Sequence, residues 1–531
     1  MRRTAWLDGR HRSATMRSMT AAPPSASSVT IGDGPLSLAD LCAVARGARL
    51  ELGPAARARI AEARAIVDAA VDGPDLVYGL NTGLGHMRDL RVDRATLGLY
   101  QEVIVKGHVG AIGRPLPTDV VRAAMASRIN GFARGGSGIS PAVADGLVAL
   151  LDAGIHPVIG ETGSVGAADL MHMAAIAQVL IGTGRAELQG EILDGAEALR
   201  RTGLEPVRLG PKDGLALISA NGVSIGRGAL VVDRATRLAR AADVVFALSL
   251  EGVRGNPSIV EPIVAASKPV PGQLEAATRI RRFLTGSGRC EPGGATSVQD
   301  PLSFRVAPQV HGALRSFLDV ARDAVELELN AADDNPVVDI AERRLVSNGN
   351  FHPIEMALAF DALRPALAHV GLLADRRLDH HWRLVFAQDM TEELLLALAD
   401  SGALLRYAAA ARAGDLRALA TPATLDIGSL DLGQEDHSTN APTTVARTDA
   451  ALDALGDVLA TEVLSARWLL RLNQTVDLGV GTAAALDAVE AVLGALPPGA
   501  TTEDRHAPVR DALDTTILDA AEGTLEPSIG R

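Results

Sequence analysis

Residues 227–250 read RGALVVDRATRLARAADVVFALSL, and this stretch decides the fold class. Its apolar residues recur at three- and four-residue spacing, as they also do in residues 54–70 and 117–132. Ala and Leu, the strongest helix formers, dominate these stretches, whereas β-branched and aromatic strand signals are sparse. The sequence therefore predicts a mainly α protein, a long-helix bundle with a smaller loop-rich N-terminal domain and few, short strands.

Composition narrows the class of protein further. The chain has 531 residues, with 51 Lys plus Arg against 64 Asp plus Glu and a net charge of −13. A nucleic-acid binder needs a basic face, so this balance argues against nucleic acid as a partner. Cys42 and Cys290 are the only cysteines and lack CxxC spacing, which excludes a disulfide scaffold and a thiolate zinc site. We expect a cytoplasmic protein.

The chain divides into four segments by composition. Residues 1–34 are predicted to be a disordered tail, because they are Arg- and Ser-rich at the start and lack the apolar block of a secretory signal; an organelle transit peptide shares this composition. A substrate-shaping N-terminal domain (35–210), a central helical bundle (211–495) and a C-terminal helix with a tail (496–531) follow. No apolar run reaches the roughly 18 residues of a membrane span, so we expect no membrane partner.

Polar clusters stand in loops where a plain helical bundle needs only turn formers. Loops on a rigid scaffold often carry sites, although Asn-Gly, Asp-Pro and Asn-Pro are also ordinary turn sequences. The number of such clusters in one chain favours a functional site. They are Tyr78-Gly-Leu-Asn-Thr-Gly83, Gln299-Asp-Pro301, Asp334-Asn-Pro336, Asn348-Gly-Asn-Phe-His352 and Gln434-Glu-Asp-His437.

Each of four single residues in or near these loops has a structural and a functional interpretation. Tyr78 is either a buried phenol at a turn or a phenolate base, and His108 is either a core imidazole or a contact for a ligand. Glu435 is either a carboxylate at a helix start or part of a site. Arg305 lies in an apolar stretch, and the carboxylate that pairs with it can belong to a ligand. The HExxH, GxSxG and P-loop motifs are absent, so we expect neither metal hydrolysis nor acyl transfer.

Seven motifs resemble, in chain order, the histidine and phenylalanine ammonia-lyase family, over roughly residues 35–490. The resemblance implies a mostly α fold of the aromatic amino acid lyase type and a homotetramer whose active sites are built from several subunits. It also implies elimination of an amine from a small α-amino acid. The motifs are Tyr78-Gly-Leu-Asn-Thr-Gly-Leu-Gly85, Gly163-Ser-Val-Gly166, Lys212-Asp-Gly-Leu-Ala-Leu-Ile218, Gln299-Asp-Pro-Leu-Ser-Phe-Arg305, Asp334-Asn-Pro336, Asn348-Gly-Asn-Phe-His352 and Gln434-Glu-Asp-His437.

The resemblance also implies roles for individual residues. A tyrosine acts as base only if its pKa falls from about 10 toward neutrality, so we expect a cation or a helix N-terminus beside Tyr78. The implied site consists of the general base Tyr78, the catalytic carboxylate Glu435, the carboxylate ligands Arg305 and Asn335, the ring contact His108, the orienting residue Gln434 and the wall residue Phe351. Glu435 can meet either the ring or the ammonium group of the substrate, and the sequence leaves both open.

One motif departs from the family pattern. Members normally have Ala-Ser-Gly before Asp-Leu, and those three residues cyclise into an electrophilic methylidene-imidazolone cofactor. This chain reads Gly166-Ala167-Ala168-Asp169-Leu170, one residue short and without the Ser and the Gly. Alanine cannot be dehydrated to a methylidene, so we expect no cofactor. In addition, Leu302 stands where the family has Tyr, and Ser219 begins the run that replaces Asn-Gly-Thr.

The missing electrophile favours a substrate with a better leaving group than ammonia. A quaternary ammonium leaves as a neutral tertiary amine, and the small Ala167 and Ala168, with Leu302, leave room for three methyl groups. A thiolated imidazole ring can spread the charge that develops when a β-proton leaves. We therefore expect trimethylamine elimination from ergothioneine, 2-thio-trimethylhistidine, to give thiourocanate. The alternatives are an ordinary histidine or aromatic amino acid ammonia-lyase and a catalytically inactive homologue that binds an amino acid.

Overall fold

Long helices form most of the described chain, as the Ala- and Leu-rich periodicity predicts. The computed structural model describes residues 28–32, 34–386, 402–425, 428–472 and 477–525. In chain order its α-helices are α1 (Leu38–Ala45), α2 (Pro54–Val71), α3 (Leu97–Gly107), α4 (Thr118–Ala133), α5 (Pro141–Asp152), α6 (Leu170–Leu180), α7 (Gly195–Thr202), α8 (Asp213–Ile218), α9 (Gly222–Gly252), α10 (Pro262–Ser267), α11 (Pro271–Phe283), α12 (Leu302–Arg305), α13 (Ala307–Leu329), α14 (Ile354–Phe386), α15 (Leu405–Leu419), α16 (Ala441–Leu472), α17 (Val480–Gly494), α18 (Thr502–Ala512) and α19 (Leu518–Gly523).

Four helices of 23 to 33 residues, α9, α13, α14 and α16, form the centre of the bundle. Helix α9 packs on α4, α13 and α16, and α14 packs on α13 and α16. One hydrophobic cluster extends from Val29 to Ala521 and includes residues on both sides of Gly210. The mainly α fold is confirmed, whereas the domain boundary at residue 210 stays a prediction.

Strands are short in the described part of the chain, as predicted. Strand β1 pairs in parallel with β2, and Val29 faces Leu50 in this register. The other pairs are antiparallel: β3 with β5, β4 with β6, β6 with β7, and β8 with β9. The strands are β1 (Ser28–Ile31), β2 (Arg49–Leu52), β3 (Ile112–Pro115), β4 (His156–Pro157), β5 (Gly160–Thr162), β6 (Arg185–Leu188), β7 (Glu191–Asp194), β8 (Val337–Asp339) and β9 (Arg344–Val346).

The two ends of the chain differ in part from the sequence prediction. The disordered tail was placed at residues 1–34, but Ser28–Ile31 is a strand, because Val29 and Ile31 bury their side chains against the core. Residues 1–27 lie outside the described residues. At the C-terminus, α18, a π-helical turn at Leu513–Ile517 and α19 follow one another, where the sequence predicted a single helix with a tail.

Two segments are long and apolar enough to cross a membrane by length and composition. These are residues Asp213–Gly252 and the helix Ile354–Phe386, and 89% and 67% of their most apolar windows are buried inside the protein. The central helices of a large helical core meet the same test, since they are apolar on most faces. Their burial against neighbouring helices therefore accounts for their composition.

Candidate active site

The segment from Gly166 to Leu170, which departs from the family pattern, begins with a tight, buried turn. The Ser164 hydroxyl donates to Oδ1 of Asp169 at 2.8 Å, lies 3.1 Å from the Ala168 carbonyl oxygen and accepts from the Gly166 N–H. Ala167 and Ala168 are 8% and 5% exposed. Ala168 has a φ of 60°, in the left-handed region that a residue with a side chain rarely adopts. The turn therefore keeps an unusual backbone although its reactive residues are absent.

Three long helices begin next to this turn. Their dipoles place positive partial charge at these ends, and in the first turn of α9 the Ser224 N–H already donates to Oδ2 of Asp169 at 2.7 Å. The turn is thus a favourable place for the carboxylate or the developing negative charge of a bound molecule. The bonds that join the turn to the residues just before α14, α9 and α16 are Ala168 N–H to Phe351 O at 3.0 Å, Asp169 N–H to Ala220 O at 2.8 Å and Asn440 N–H to Val165 O at 2.7 Å.

Tyr78 lies in the loop after α2, and its phenol oxygen accepts the Gly85 N–H at 3.1 Å. Gly85 has a φ of +57°, and a Cβ there would collide with the carboxylate of Asp431, so this turn requires glycine. Burial raises the pKa of Tyr78, and the nearby carboxylates of Glu435 and Asp431 raise it further, against the lowering effects of the Gly85 N–H and Arg88. The expectation that the pKa of Tyr78 falls is therefore wrong for the isolated chain, because burial of the phenol, together with the carboxylates of Glu435 and Asp431, outweighs the Gly85 N–H and Arg88.

The loop that carries Glu435 packs onto the turn that carries Gly85. Asp431 accepts hydrogen bonds from the His86 N–H at 2.9 Å and from its ring Nδ1 at 2.5 Å. Asp431 and Leu432 have φ values of 45° and 55°, and this reversal lets Leu430 and Glu435 pair as an antiparallel bridge. The reversal brings Glu435 next to Tyr78.

His108 caps the C-terminal end of α3 and lies beside Glu435. Its Nδ1 is 2.7 Å from the Ile104 carbonyl, so Nδ1 carries a proton and Nε2 is the ring nitrogen left for another contact. Burial raises the pKa of Glu435, Asp431 raises it further, and His108 lowers it. The structure thus brings Tyr78, His108 and Glu435 together as the sequence predicts. Gln434 lies in the same loop and is exposed, and its side chain has no partner among the described residues.

Phe351 is half-buried next to the Ala167 turn, and the neighbouring residue joins this region to the Glu435 loop. Nε2 of His352 is 2.9 Å from Nδ1 of His437. One ring donates and the other accepts, and burial, followed by His437, lowers the pKa of His352. The pair of His352 and His437 therefore links the two loops, which the sequence showed only as separate motifs.

Asn335 and Asn221 lie at this same end of the bundle. Oδ1 of Asn335 accepts the Asn348 N–H at 3.0 Å, which leaves its amide N–H groups without a partner in the described part of the chain. Asn221 is fully buried; it donates to the Phe351 carbonyl at 3.1 Å, but its Oδ1 has no partner. A buried acceptor without a partner is rare and calls for an explanation such as a bound ligand. The sequence analysis treated Asn221 only as the last residue of the run that replaces Asn-Gly-Thr and assigned it no role in the site.

Arg305 does not join this group within one chain. It ends the helix Leu302–Arg305 and is half-buried, with no hydrogen-bond or ion-pair partner among the described residues. In the same short helix, the Ser303 carbonyl accepts a hydrogen bond from the Arg377 guanidinium at 3.1 Å. Arg377 lies 23 residues after Ile354 in helix α14, about 35 Å along it at ~1.5 Å per residue. Arg305 therefore lies at the opposite end of the bundle from Phe351.

The same separation corrects two further expectations. Helix α13 has 23 residues between Arg305 and the loop of Asn335, again about 35 Å, so one chain cannot use both residues on one carboxylate. Leu302 is 62% exposed at the Arg305 end and does not line the space beside Ala167 in the same chain. Sequence motifs report residue types and order, whereas helix length sets which of them meet.

The residues present do not fit the electrophilic cofactor of the ammonia-lyases. Its methylidene carbon derives from a serine hydroxymethyl group, and this turn offers only the methyl groups of Ala167 and Ala168. The hydroxyls that touch this turn, those of Ser164, Ser224 and Thr439, belong to residues outside the Ala167-Ala168 pair, and they bond to Asp169 and to the Gly166 carbonyl. In addition, the Ala168 N–H is held by the Phe351 carbonyl. No step of the reaction is therefore assigned to this cofactor.

Comparison with known proteins agrees with this picture of the fold. The aromatic amino acid lyase family model matches residues 36–491. The chain belongs to the aromatic amino acid lyase family. It is 39% identical to a histidine ammonia-lyase of Anaeromyxobacter sp. (strain K) over 454 residues, 82% of this chain and 89% of the relative. It is 37% identical to a histidine ammonia-lyase of Gloeobacter violaceus over 467 residues, 86% of this chain and 90% of the relative.

A solved structure is similar over almost the whole chain. Ergothionase from Treponema denticola, an ergothioneine-degrading enzyme crystallised with desmethyl-ergothioneine sulfonic acid, matches with a TM-score of 0.86 and 28% identity, over 93% of this chain and 99% of that one. The chain is thus a carbon–nitrogen lyase of this family that resembles both histidine ammonia-lyases and ergothionase. The catalytic roles of Tyr78, His108, Arg305, Asn335, Phe351, Gln434 and Glu435 stay predictions.

Proposed function

We propose that this enzyme eliminates trimethylamine from ergothioneine without an electrophilic cofactor and so produces thiourocanate. The observation that carries the proposal is the Ala167-Ala168 turn, which stands where the family motif has Ala-Ser-Gly and cannot form the electrophile. An amine that is already quaternary needs no such activation, because it leaves as a neutral molecule. The similarity to ergothionase supports the same substrate.

The proposed elimination uses the chain's own residues for the proton and the charges. The Tyr78 phenolate takes a proton from the β-carbon, the electron pair of that C–H bond forms the α,β double bond, and the C–N bond breaks. The nitrogen leaves with its bonding pair as neutral trimethylamine, and the carboxylate stays on the product. His108 accepts a ring N–H through Nε2, while Phe351 limits the space beside the ring.

The charge of the site suits a cationic substrate. The carboxylates of Glu435 and Asp431 face Tyr78, and in the isolated chain they raise the pKa of the base. A trimethylammonium group bound near them offsets their charge and favours the phenolate. The substrate therefore supplies the cation that the sequence led us to expect from the protein.

A second copy of the chain completes the site in this proposal. Arg305 has a free guanidinium in the described structure, and a planar guanidinium can hold both oxygens of a carboxylate. The helix that follows it, α13, leaves Phe317, Val320 and Leu327 exposed by 43%, 52% and 61%, on spacings that place them along one face. We propose that copies pack through this face into a homotetramer, so that Arg305 of one subunit reaches the Tyr78 end of another.

The second candidate function is histidine ammonia-lyase, because the similar curated proteins carry that name at 37% and 39% identity. Those identities favour histidine as substrate over ergothioneine. Against it stands the turn at Ala167 and Ala168, since ammonia is a poor leaving group from an unmodified amine. The two candidates differ in the amine released and in the dependence on an electrophile.

The test is an assay of the purified chain with histidine, trimethylhistidine and ergothioneine at equal concentration. We expect trimethylamine release and growth of the thiourocanate chromophore from ergothioneine, a slower release from trimethylhistidine, and no ammonia from histidine. Ammonia and urocanate from histidine would establish the second candidate instead. Trimethylamine from trimethylhistidine at the same rate as from ergothioneine would show that the sulfur has no part in the reaction.

A further inference from the structure

Two histidines from different motifs meet between the loop of Glu435 and the Ala167 turn. Nε2 of His352 lies 2.9 Å from Nδ1 of His437, and the ring centroids are 5.0 Å apart. The two residues are 85 positions apart in the chain. A hydrogen bond between two ring nitrogens needs one N–H and one lone pair, which two neutral rings supply when one donates and the other accepts. Within the described residues, each ring has the other as its hydrogen-bond partner.

The His352 ring projects from a fixed segment of backbone. His352 directly follows Phe351, whose carbonyl accepts the Ala168 N–H at 3.0 Å and the side-chain amide of Asn221 at 3.1 Å. His352 lies just before helix α14, and its own carbonyl accepts the Ile354 N–H at 2.8 Å. These bonds attach the backbone around His352 to the turn of Ala168 and to the start of a long helix.

The loop that carries Glu435 is attached at its two ends. At the first end, the Leu430 N–H donates to the Glu435 carbonyl at 2.8 Å. At the second end, the Asn440 N–H donates to the Val165 carbonyl at 2.7 Å, so the loop returns to the buried turn. Between these ends, residues 436–438 make no backbone hydrogen bond within the part of the chain that the structure describes. The backbone alone therefore does not fix the residues that follow Glu435.

His437 lies in this middle part of the loop, two residues after Glu435. Its bond to His352 attaches the middle of the loop to the segment before α14. Glu435 is thereby held from both sides, its carbonyl by Leu430 and the residues after it by the histidine pair. A charged side chain contributes fully to a site only when it is held close to its productive position, and a displacement of about 1 Å can cost about 10²-fold in rate.

We propose that His352 and His437 are positioning residues for Glu435: their hydrogen bond holds residues 436–438 against the segment before helix α14 and so fixes the Glu435 carboxylate in the site. The inference rests on the proposed role of Glu435 in binding the substrate. Neither histidine contacts the substrate or takes a proton from it. The two loops, which the sequence presents as separate motifs, act as one unit that holds the carboxylate.

The kinetic test is a double-mutant cycle between His352→Phe and Glu435→Gln. Phenylalanine keeps an aromatic ring but cannot make the hydrogen bond, and we expect it to raise KM about tenfold, the size of one hydrogen bond, with kcat changed by less than about twofold. In the Glu435→Gln enzyme the same substitution should change KM by less than about twofold, because the charge that the pair positions is already absent. A rise of about tenfold in both backgrounds would contradict the proposal. The substrate is whichever of histidine, trimethylhistidine and ergothioneine the chain converts.

Rescue by glutamine distinguishes the hydrogen bond from the shape of the ring. His352→Gln places an amide N–H about as far from the backbone as Nε2, so it can still donate to Nδ1 of His437, and we expect KM within about twofold of wild type. His506→Phe is the matched control, because His506 lies in helix α18, outside the site, with its Nε2 3.0 Å from the Asp457 carbonyl; its loss should leave KM unchanged. If His352→Gln is as impaired as His352→Phe, the hydrogen bond does not position Glu435.

A measurement without substrate separates this inference from the proposed function. It is hydrogen–deuterium exchange of the full chain, followed by mass spectrometry on peptides that cover residues 428–440. We expect faster exchange in His352→Phe than in wild type, because the Leu430 N–H and its neighbours lose protection when the middle of the loop is released, and wild-type exchange in His352→Gln. Peptides that cover residues 163–170 should exchange alike in all three proteins. Equal exchange of the Glu435 loop in wild type and His352→Phe would overturn the proposal, whatever the enzyme's substrate proves to be.

Discussion

The two ends of the long-helix bundle carry different parts of the chemistry. At one end the helices α9, α14 and α16 begin beside the Ala167 turn, with Tyr78, His108 and Glu435 nearby. At the other end Arg305 has a guanidinium without a partner in the described residues. Elimination from an amino acid needs a base at the β-carbon and a hold on the carboxylate within the length of one small molecule. The comparison teaches that one chain does not bring its own base and its own arginine together.

The largest expected effect is at the first end. Tyr78→Phe keeps the packing of the ring and removes the proton acceptor, so turnover should fall by about 10²- to 10⁴-fold, the usual contribution of a general base. The measurement is the initial rate of amine release, and unchanged circular dichroism and melting temperature serve as the folding check. Tyr407→Phe is the control with the same chemical change on an exposed phenol, and it should keep full activity. A Tyr78→Phe enzyme with more than half its activity would remove Tyr78 from the reaction.

The second prediction joins the two ends. Arg305→Ala and Tyr78→Phe should each be nearly inactive, whereas assemblies co-expressed from both, and purified through two different tags, should regain activity. In a closed symmetric assembly of randomly mixed subunits, about a quarter of the sites receive an intact Tyr78 from one subunit and an intact Arg305 from another. If the mixed assemblies are no more active than the separate variants, the base and the arginine do not come from different copies.

The sequence predicted residue types well and their spatial grouping only in part. Helix periodicity in residues 227–250 gave α9, and the ordered motifs gave Tyr78, His108 and Glu435, which the structure brings together. The pairing of Arg305 with Asn335 failed, because the 23 residues between their loops form one straight element rather than a return. Motif order carries no information about distance when long helices connect the motifs.

Buried groups that lie outside the motifs could not be predicted from the sequence either. The unpaired Oδ1 of Asn221 depends on which backbone groups surround it after folding. The direction of the pKa of Tyr78 was also beyond the sequence, because it depends first on how far the phenol is buried after folding and then on the nearby Glu435 and Asp431. The loop that carries these two carboxylates reverses at Asp431 and Leu432 through local φ values, which no residue pattern predicted.

The third prediction tests the negative charge of Glu435 at the Tyr78 end of the bundle, and its expected effect is smaller than that of the first two. Glu435→Gln keeps the shape of the side chain, and we expect the KM of a betaine to rise by about 5- to 30-fold, the roughly 1–2 kcal/mol of one partly buried charge acting on a cation. The same change removes a carboxylate that disfavours the Tyr78 phenolate, so the base-limited arm of the pH profile should move to lower pH.

The control for this variant is an analogue with the same ring and no charged amine, used as a competitive inhibitor. Its inhibition constant should change less than the KM of the betaine. Because burial raises the pKa of Glu435, the wild-type enzyme should also lose affinity for the betaine as the pH falls through that raised pKa, and Glu435→Gln should not. Equal changes for the betaine and the uncharged analogue would assign Glu435 to ring orientation alone.

The last prediction is that two reagents leave the activity unchanged, and it concerns the turn at Ala167 and Ala168. Cyanide and borohydride inactivate an electrophilic methylidene, so a family member that carries Ala-Ser-Gly should lose activity with them, whereas this enzyme should keep its full rate of trimethylamine release. The intact mass should equal that of the printed sequence, without the loss of two waters that cyclisation causes, because neither alanine can lose a hydroxyl group. The Ala168 N–H, bonded to the Phe351 carbonyl, is also not free to take part in ring closure. A mass deficit of two waters located in residues 163–170, or cyanide-sensitive release of ammonia from histidine, would return the protein to the histidine ammonia-lyases that it resembles in sequence.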